Sequence, residues 1–204
     1  MISFHVYSQH TDYRRFHSSE TSILKLACNA FLAADLGNVT LIGLLDLSAA
    51  FDTIYHDILI SRLQSTFGVH GTVLSWITSF STKRTQTVNF AGQQSTLATV
   101  LCGVPLGSVL GPVLFLLCTA DVPVIAQRHG FLAHSYADDT QLYFHDKVSL
   151  SDIRLLRLKE CIGEIEIWMS SNRLRLNTDK TQFICLGTRQ QMTNFQLSAS
   201  HDRP

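Results

Sequence analysis

Two periods run through this chain of 204 residues. Helical spacing begins at Ser18-Ser19-Glu20-Thr21, after which apolar residues recur at Ile23, Leu24, Leu26, Ala27, Ala30, Phe31 and Leu32. That pattern predicts an amphipathic helix with hydroxyls at its start and a glycine stop near Gly37. His56 to Leu63 predicts a second helix ending near Gly68, and Thr72 to Phe80 a third, with Trp76 read as core. From Ser149 to Ser170, Ile153, Leu156, Ile162, Ile165 and Trp168 alternate with charges, the pattern of a surface helix packed on a sheet. Strand patterns lie between the helices. Leu41-Ile42-Gly43-Leu44-Leu45 is a short apolar run ending at Asp46, as expected of a buried strand that delivers a carboxylate at its C-terminal end. Thr85–Phe90 and Ser95–Leu101 flank Ala91-Gly92 and predict a hairpin. A second hairpin is expected where Gly130–Ser135 and Leu142–Phe144 flank two adjacent aspartates, and a last strand runs to Leu186.

Composition narrows the class. With 46% hydrophobic and 16% charged residues the chain can build one globular core. Its formal net charge of zero removes bulk charge as an argument for a polynucleotide partner. The five cysteines stand singly, without paired metal-ligand spacing, and no signal peptide is visible, which together predict reduced thiols inside the cell. None of the nine histidines is assigned to a metal. No charged residue occurs from Thr85 to Ala120. The compact apolar run within it, Val113 to Ala120, is too short to span a bilayer, so a buried core helix is expected and no membrane partner.

Candidate chemistry comes from acidic residues. Asp46 follows an apolar strand, and a buried carboxylate needs a partner or a metal. Tyr136-Ala137-Asp138-Asp139 places two more carboxylates at a turn, where neighbouring side chains diverge and take different roles. Asp46 with Asp138 supplies hard oxygen ligands suited to Mg²⁺. The bland alternatives are a helix N-cap for Asp46 and an ordinary acidic turn for the pair.

At these residues the chain resembles the reverse transcriptase domain of non-LTR (LINE-type) retrotransposons. Leu44-Leu45-Asp46-Leu47-Ser48-Ala49-Ala50-Phe51-Asp52-Thr53 resembles polymerase motif A, and Gly103-Val104-Pro105-Leu106-Gly107-Ser108-Val109-Leu110-Gly111-Pro112 motif B. Tyr136-Ala137-Asp138-Asp139 resembles motif C, and Asn177-Thr178-Asp179-Lys180-Thr181 motif D. Four motifs in order, from about Tyr7 to Gly187, make the resemblance specific.

The resemblance implies an α+β fold, a polymerase palm of antiparallel strands backed by helices, with partial fingers over residues 1–38, the palm over 39–187, a frayed tail over 188–204 and no thumb. It implies RNA-directed DNA synthesis with an RNA template, a DNA primer and deoxynucleoside triphosphates (dNTPs) as partners and two Mg²⁺ ions as cofactors. Metal ligands would be Asp46, the Leu47 carbonyl, Asp138 and, less directly, Asp139; Lys180 would be a general acid. The dNTP would meet Leu47, Ala49, Ala50, Phe51, Leu106, Gly107 and Arg14, with Phe51 excluding a ribose 2′-hydroxyl. Core packing is the plain alternative for Phe51, and a solvated surface for Arg14 and Lys180. Asp52 reads as structural. One position departs from the pattern: Leu106 stands where the family commonly has Gln, whose amide contacts the nucleotide. Tyr55, often acidic in relatives, is a milder departure. Two rivals follow. One is a silent relic or host-adapted nucleic-acid-binding module of the same fold. The other, a phospho-acceptor signalling domain, fails because its acidic pair should precede the lone Asp.

Overall fold

The structure, a computed structural model, describes residues 18–105, 107–136, 139–147 and 151–193. Its centre is a four-stranded antiparallel sheet with strand order β6-β7-β1-β8. The strands are β1 (Val39–Leu45), β6 (Leu132–Tyr136), β7 (Asp139–Asp146) and β8 (Gln182–Leu186). β1 lies between β7 and β8, pairing Leu44 with Gln141 on one side and Gln182 on the other.

Strand parity sorts the side chains onto two faces. Leu41 and Leu45 of β1 and Leu142 and Phe144 of β7 enter the main hydrophobic core. Helices α2 (His56–Ser65), α4 (Leu110–Thr119), α5 (Asp121–Arg128) and α6 (Ser151–Ser171) supply most of the rest of it, and Ile77 joins from the helix between α2 and α4. The opposite face carries Thr40, Ile42, Leu44 and Tyr143. Helix α1 (Ser19–Asp35) packs on β1 and β7, and the Asn29 side chain hydrogen-bonds Tyr143. Burial pushes the Tyr143 phenol above its ordinary pKa, and that bond only partly opposes the shift. Thr40 Oγ1 meets His145 Nδ1 at 2.8 Å on the same face. Beyond Ile42, towards Asp46, this face is open.

Local chemistry explains the ends of the elements. Ser18 and Thr21 form a reciprocal capping box at α1, and Gly37 (φ +80°) ends it. Helix α2 is followed by Gly68 (φ +66°) and then α3 (Gly71–Ser81). The expected hairpin forms as two short ladders, β2 (Arg84–Gln86) with β5 (Ala98–Val100) and β3 (Asn89–Phe90) with β4 (Gln93–Gln94). Ala91 and Gly92, both at positive φ, make its tip, the backbone a two-residue turn needs.

Three sequence expectations change. Trp76 is about half exposed rather than core, stacked on Phe80 at 5.9 Å. On α6, Ile153 and Leu156 face solvent, while Leu158, Cys161, Ile165 and Met169 are buried. Ile162, Ile165 and Trp168 of the expected stripe do meet the core, but the stripe runs on through Leu158, a cysteine and a methionine rather than through Ile153 and Leu156. The apolar run after motif B continues through α5, giving 19 residues from Leu110 to Arg128 that are long and apolar enough to cross a membrane. Here Leu114, Phe115, Cys118, Val122, Ile125 and Ala126 of that stretch are core residues.

Candidate active site

The open end of the sheet is the end at which β1 delivers Asp46. A cleft of about 340 Å³ is lined there by Leu44, Leu45, Asp46, Asp139, Thr140, Gln141, Lys180 and Gln182. Leu44, Gln141 and Gln182 lie side by side across three strands, so both amides share the face that carries the cleft. Asp139 opens β7 and is exposed. Lys180 reaches the cleft from the turn before β8, its Nζ 3.6 Å from Asp46 Oδ2.

Asp46 is held by backbone on both sides. Its carbonyl accepts from Asn177 N–H at 2.8 Å, and Ser48 N–H donates to the Arg175 carbonyl at 2.9 Å. These bonds flank the antiparallel bridge Leu47↔Leu176. In such a bridge Leu47's own carbonyl points to the side away from Leu176. The buried Leu47 and Leu176 side chains anchor the crossing. Asp46 Oδ2 is buried and has no hydrogen-bond partner among the described residues. Lys180 is beyond hydrogen-bonding distance and its side chain is 70% exposed. A carboxylate oxygen left in this state is costly unless a cation meets it. The hard donors Asp46 and Asp139 on one cleft therefore fit a divalent cation such as Mg²⁺.

Motif A then turns sharply. Ala49 is left-handed (φ 50°, ψ 41°), a conformation costing a non-glycine residue about 1 kcal/mol or more. It starts a 3-10 turn over Ala50–Asp52, so Ala49, not Asp46, occupies the N-cap position. Ala50 is buried, and the Phe51 ring packs on Phe115 at a centroid distance of 4.9 Å. Phe51 also lines a second cleft, of about 680 Å³, with Pro105, Gly107 and Val113. Phe51 therefore packs on the core and borders a cleft as well. Only four residues separate Asp46 in one cleft from Phe51 in the other.

The motif B loop is pinned to motif A. Gly103 (φ +87°) packs so closely that an added Cβ would meet the Asp52 carbonyl oxygen at 3.3 Å. Its own carbonyl accepts from His56 Nε2 at 2.9 Å and Arg84 Nη1 at 3.2 Å. Ser108 Oγ donates to the Pro105 carbonyl at 2.6 Å and accepts from Gly111 N–H at 3.0 Å. Tyr55 lies under Arg173, whose guanidinium stands 4.3 Å from the ring centroid.

Of the residues singled out from the sequence, Asp46, Asp139 and Lys180 come together in one cleft, while Phe51 and Gly107 come together in the other. Asp138, Leu106 and Arg14 lie outside the described residues. Gln141 and Gln182, which line the first cleft, were missed. The signal available was parity, since Gln141 is two residues beyond Asp139 on a strand.

A sequence profile described as "Reverse transcriptase (RNA-dependent DNA polymerase)" matches residues 7–198. The chain belongs to the reverse transcriptase family. It is 28% identical over 176 residues to the probable RNA-directed DNA polymerase from transposon BS of Drosophila melanogaster, covering 83% of this chain and 19% of that protein. It is also 28% identical over 150 residues to the RNA-directed DNA polymerase from the mobile element jockey of the same fly, covering 71% of this chain and 16% of that protein. Both relatives come from non-LTR (LINE-type) elements, so the resemblance read from motifs A to D holds. This reverse transcriptase chain spans less than a fifth of either relative. Among solved structures it is similar to telomerase from Candida albicans in complex with a fragment of telomeric RNA, with a TM-score of 0.67 and 16% identity over 89% of this chain and 33% of that one. A truncated apo telomerase from Candida tropicalis gives a TM-score of 0.65 and 15% identity over 91% of this chain and 38% of that one. At these identities the likeness shows the fold, a mixed helix and antiparallel-sheet palm.

Proposed function

We propose that this reverse transcriptase chain is the polymerase palm of a LINE-type retrotransposon and adds dNTPs to a DNA primer on an RNA template. The observation that carries this reading is the convergence of Asp46, Asp139 and Lys180 on the open face of the sheet. Asp138, adjacent to Asp139 in sequence, completes the acidic set. In this reading residues 1–38 belong to the fingers, 39–187 are the palm and 188–204 a tail. The protein works inside the cell, where its five free thiols stay reduced.

Two Mg²⁺ ions, held by Asp46, Asp138, the Leu47 carbonyl and to a lesser degree Asp139, would supply Lewis acidity toward the primer 3′-hydroxyl and neutralise charge on the leaving group. The chain's own groups do the rest. Backbone amides at Leu47, Ala49 and Ala50 face the triphosphate, and Arg14 adds a cation from the fingers. Gly107 lets the motif B backbone approach the nucleotide. The Phe51 ring, braced by Phe115, fills the space a ribose 2′-hydroxyl would need. Lys180 Nζ gives its proton to the departing pyrophosphate.

Primer extension on an RNA template with Mg²⁺ and four dNTPs tests the reading, with Asp46→Asn and Asp138→Asn alongside. Extension that disappears in both variants supports it; extension that survives either one sinks the site assignment. Leu106, where Gln is common, favours a second reading as a silent relic or nucleic-acid-binding module of the same fold. If Leu106 limits nucleotide binding, Leu106→Gln lowers the KM for dNTP; an unchanged KM removes that support for the relic.

A further inference from the structure

An ion pair in the cleft joins two groups that the proposed chemistry needs apart. Asp46 is to hold a metal ion, and Lys180 is to protonate the leaving group. Lys180 Nζ nevertheless stands 3.6 Å from Asp46 Oδ2, the oxygen that is buried and, among the described residues, without a hydrogen-bond partner. We propose, resting on the polymerase reading above, that Lys180 is a displaceable stand-in for the metal: it neutralises Asp46 while no divalent ion is present, and arrival of the ion expels it.

The two halves of the pair differ in the required way. Asp46 is fixed by backbone bonds through Asn177 and Ser48, and its side chain is only 20% exposed. Lys180 has a side chain 70% exposed on a four-carbon stem, so it leaves into water at small cost. An Mg²⁺ ion binds oxygen at about 2.0–2.1 Å. With the dication on Oδ2, an ammonium 3.6 Å from that oxygen meets like charge across a short gap, and the two cannot share it. Occupancy by one excludes the other, and the coupling is reciprocal: whatever Lys180 gains from Asp46 is lost from metal affinity. The functional consequence is order. Lys180 becomes available as a proton donor only after the metal site is filled.

The test is metal binding without nucleotide or primer. Mn²⁺, as a probe for Mg²⁺, is titrated into the purified chain and free ion is followed by electron paramagnetic resonance. Lys180→Met should bind Mn²⁺ about two- to fivefold tighter than wild type, the worth of a partly exposed ion pair, while Lys180→Arg, which keeps the cation, should stay near wild type. Arg175→Met, which removes an exposed cation from the same segment, should leave affinity unchanged. Equal affinity for Lys180→Met and wild type overturns the proposal, and so does an equal gain in Arg175→Met, which would mark a general field. Asp46→Asn separates this inference from the reading beneath it. If Asp46→Asn loses Mn²⁺ while Lys180→Met is unchanged, the displacement idea alone fails. If Asp46→Asn binds as wild type does, or no variant binds Mn²⁺ at all, the metal site itself fails and the inference with it.

Discussion

Gly103 shows how much of this site rests on single backbone positions. Its φ of +87° suits only glycine, and an added Cβ would press on the Asp52 backbone. Gly103→Ala should therefore cost about 1–3 kcal/mol, read as a lower midpoint in urea unfolding, because both strain and crowding act there. A midpoint unchanged from wild type would mean the motif B loop is not pinned to motif A. His145 carries a pH signature. Burial holds its imidazole below the ordinary 6.5. The unfolded chain then takes up a proton more readily than the folded one, so stability rises with pH through the window from the folded pKa up to 6.5 and is lost on acidification below it. Wild type should lose stability between pH 7.5 and pH 5, and His145→Gln should lose less over the same interval. Equal losses would refute the assignment. Asp146 is shifted in the same direction by a different cause: burial alone would raise its carboxyl, but the Arg154 hydrogen bond and charge, aided by Lys147, outweigh it and hold it below the usual carboxylate range.

At the scale of elements, α6 gives the sharpest check of which face is buried. Leu158 is a core residue and Leu156, two positions earlier, is exposed. Leu158→Ala should destabilise by about 2–5 kcal/mol, whereas Leu156→Ala should stay within about 0.5 kcal/mol of wild type. The reverse ranking would restore the face read from the sequence. Helices α1 and α2 were legible because a capping residue or a glycine stop coincided with the periodicity. α6 was legible as a helix and, through Ile162, Ile165 and Trp168, in the facing of its C-terminal half; its first turns were misread, since a stripe holding Leu158, Cys161 and Met169 among charges has weak contrast. α5 went unread because Pro123 sits in its first turn, where proline is tolerated but looks like a break.

Across the whole molecule, burial partitions the thiols. Cys118 and Cys161 are core residues whose thiols burial pushes up to about 12, while Cys28 is exposed on α1. Native alkylation at pH 8 followed by mass spectrometry should mark Cys28 early and spare Cys118 and Cys161, with all five cysteines reacting in denaturant. Early labelling of Cys161 would contradict the packing of α6 on the sheet. Among the described residues, the same packing gives the sheet one face covered by α2, α4, α5 and α6 and another covered at one end by α1, and the polar cleft opens at the other end.

The sequence by itself determined the family, the antiparallel palm, most element positions, and the acidic and basic residues that line the cleft. It could do so because these depend on local patterns: period, caps, turn glycines and motif spacing. Only the tertiary structure decided that Asp46 Oδ2 is buried without a hydrogen bond among the described residues, that Lys180 pairs with it, and that Gln141 and Gln182 flank Leu44 on the cleft face. Those facts depend on strand register, which brings residues more than a hundred positions apart into contact. Residue spacing along a chain does not encode which strand will lie beside which.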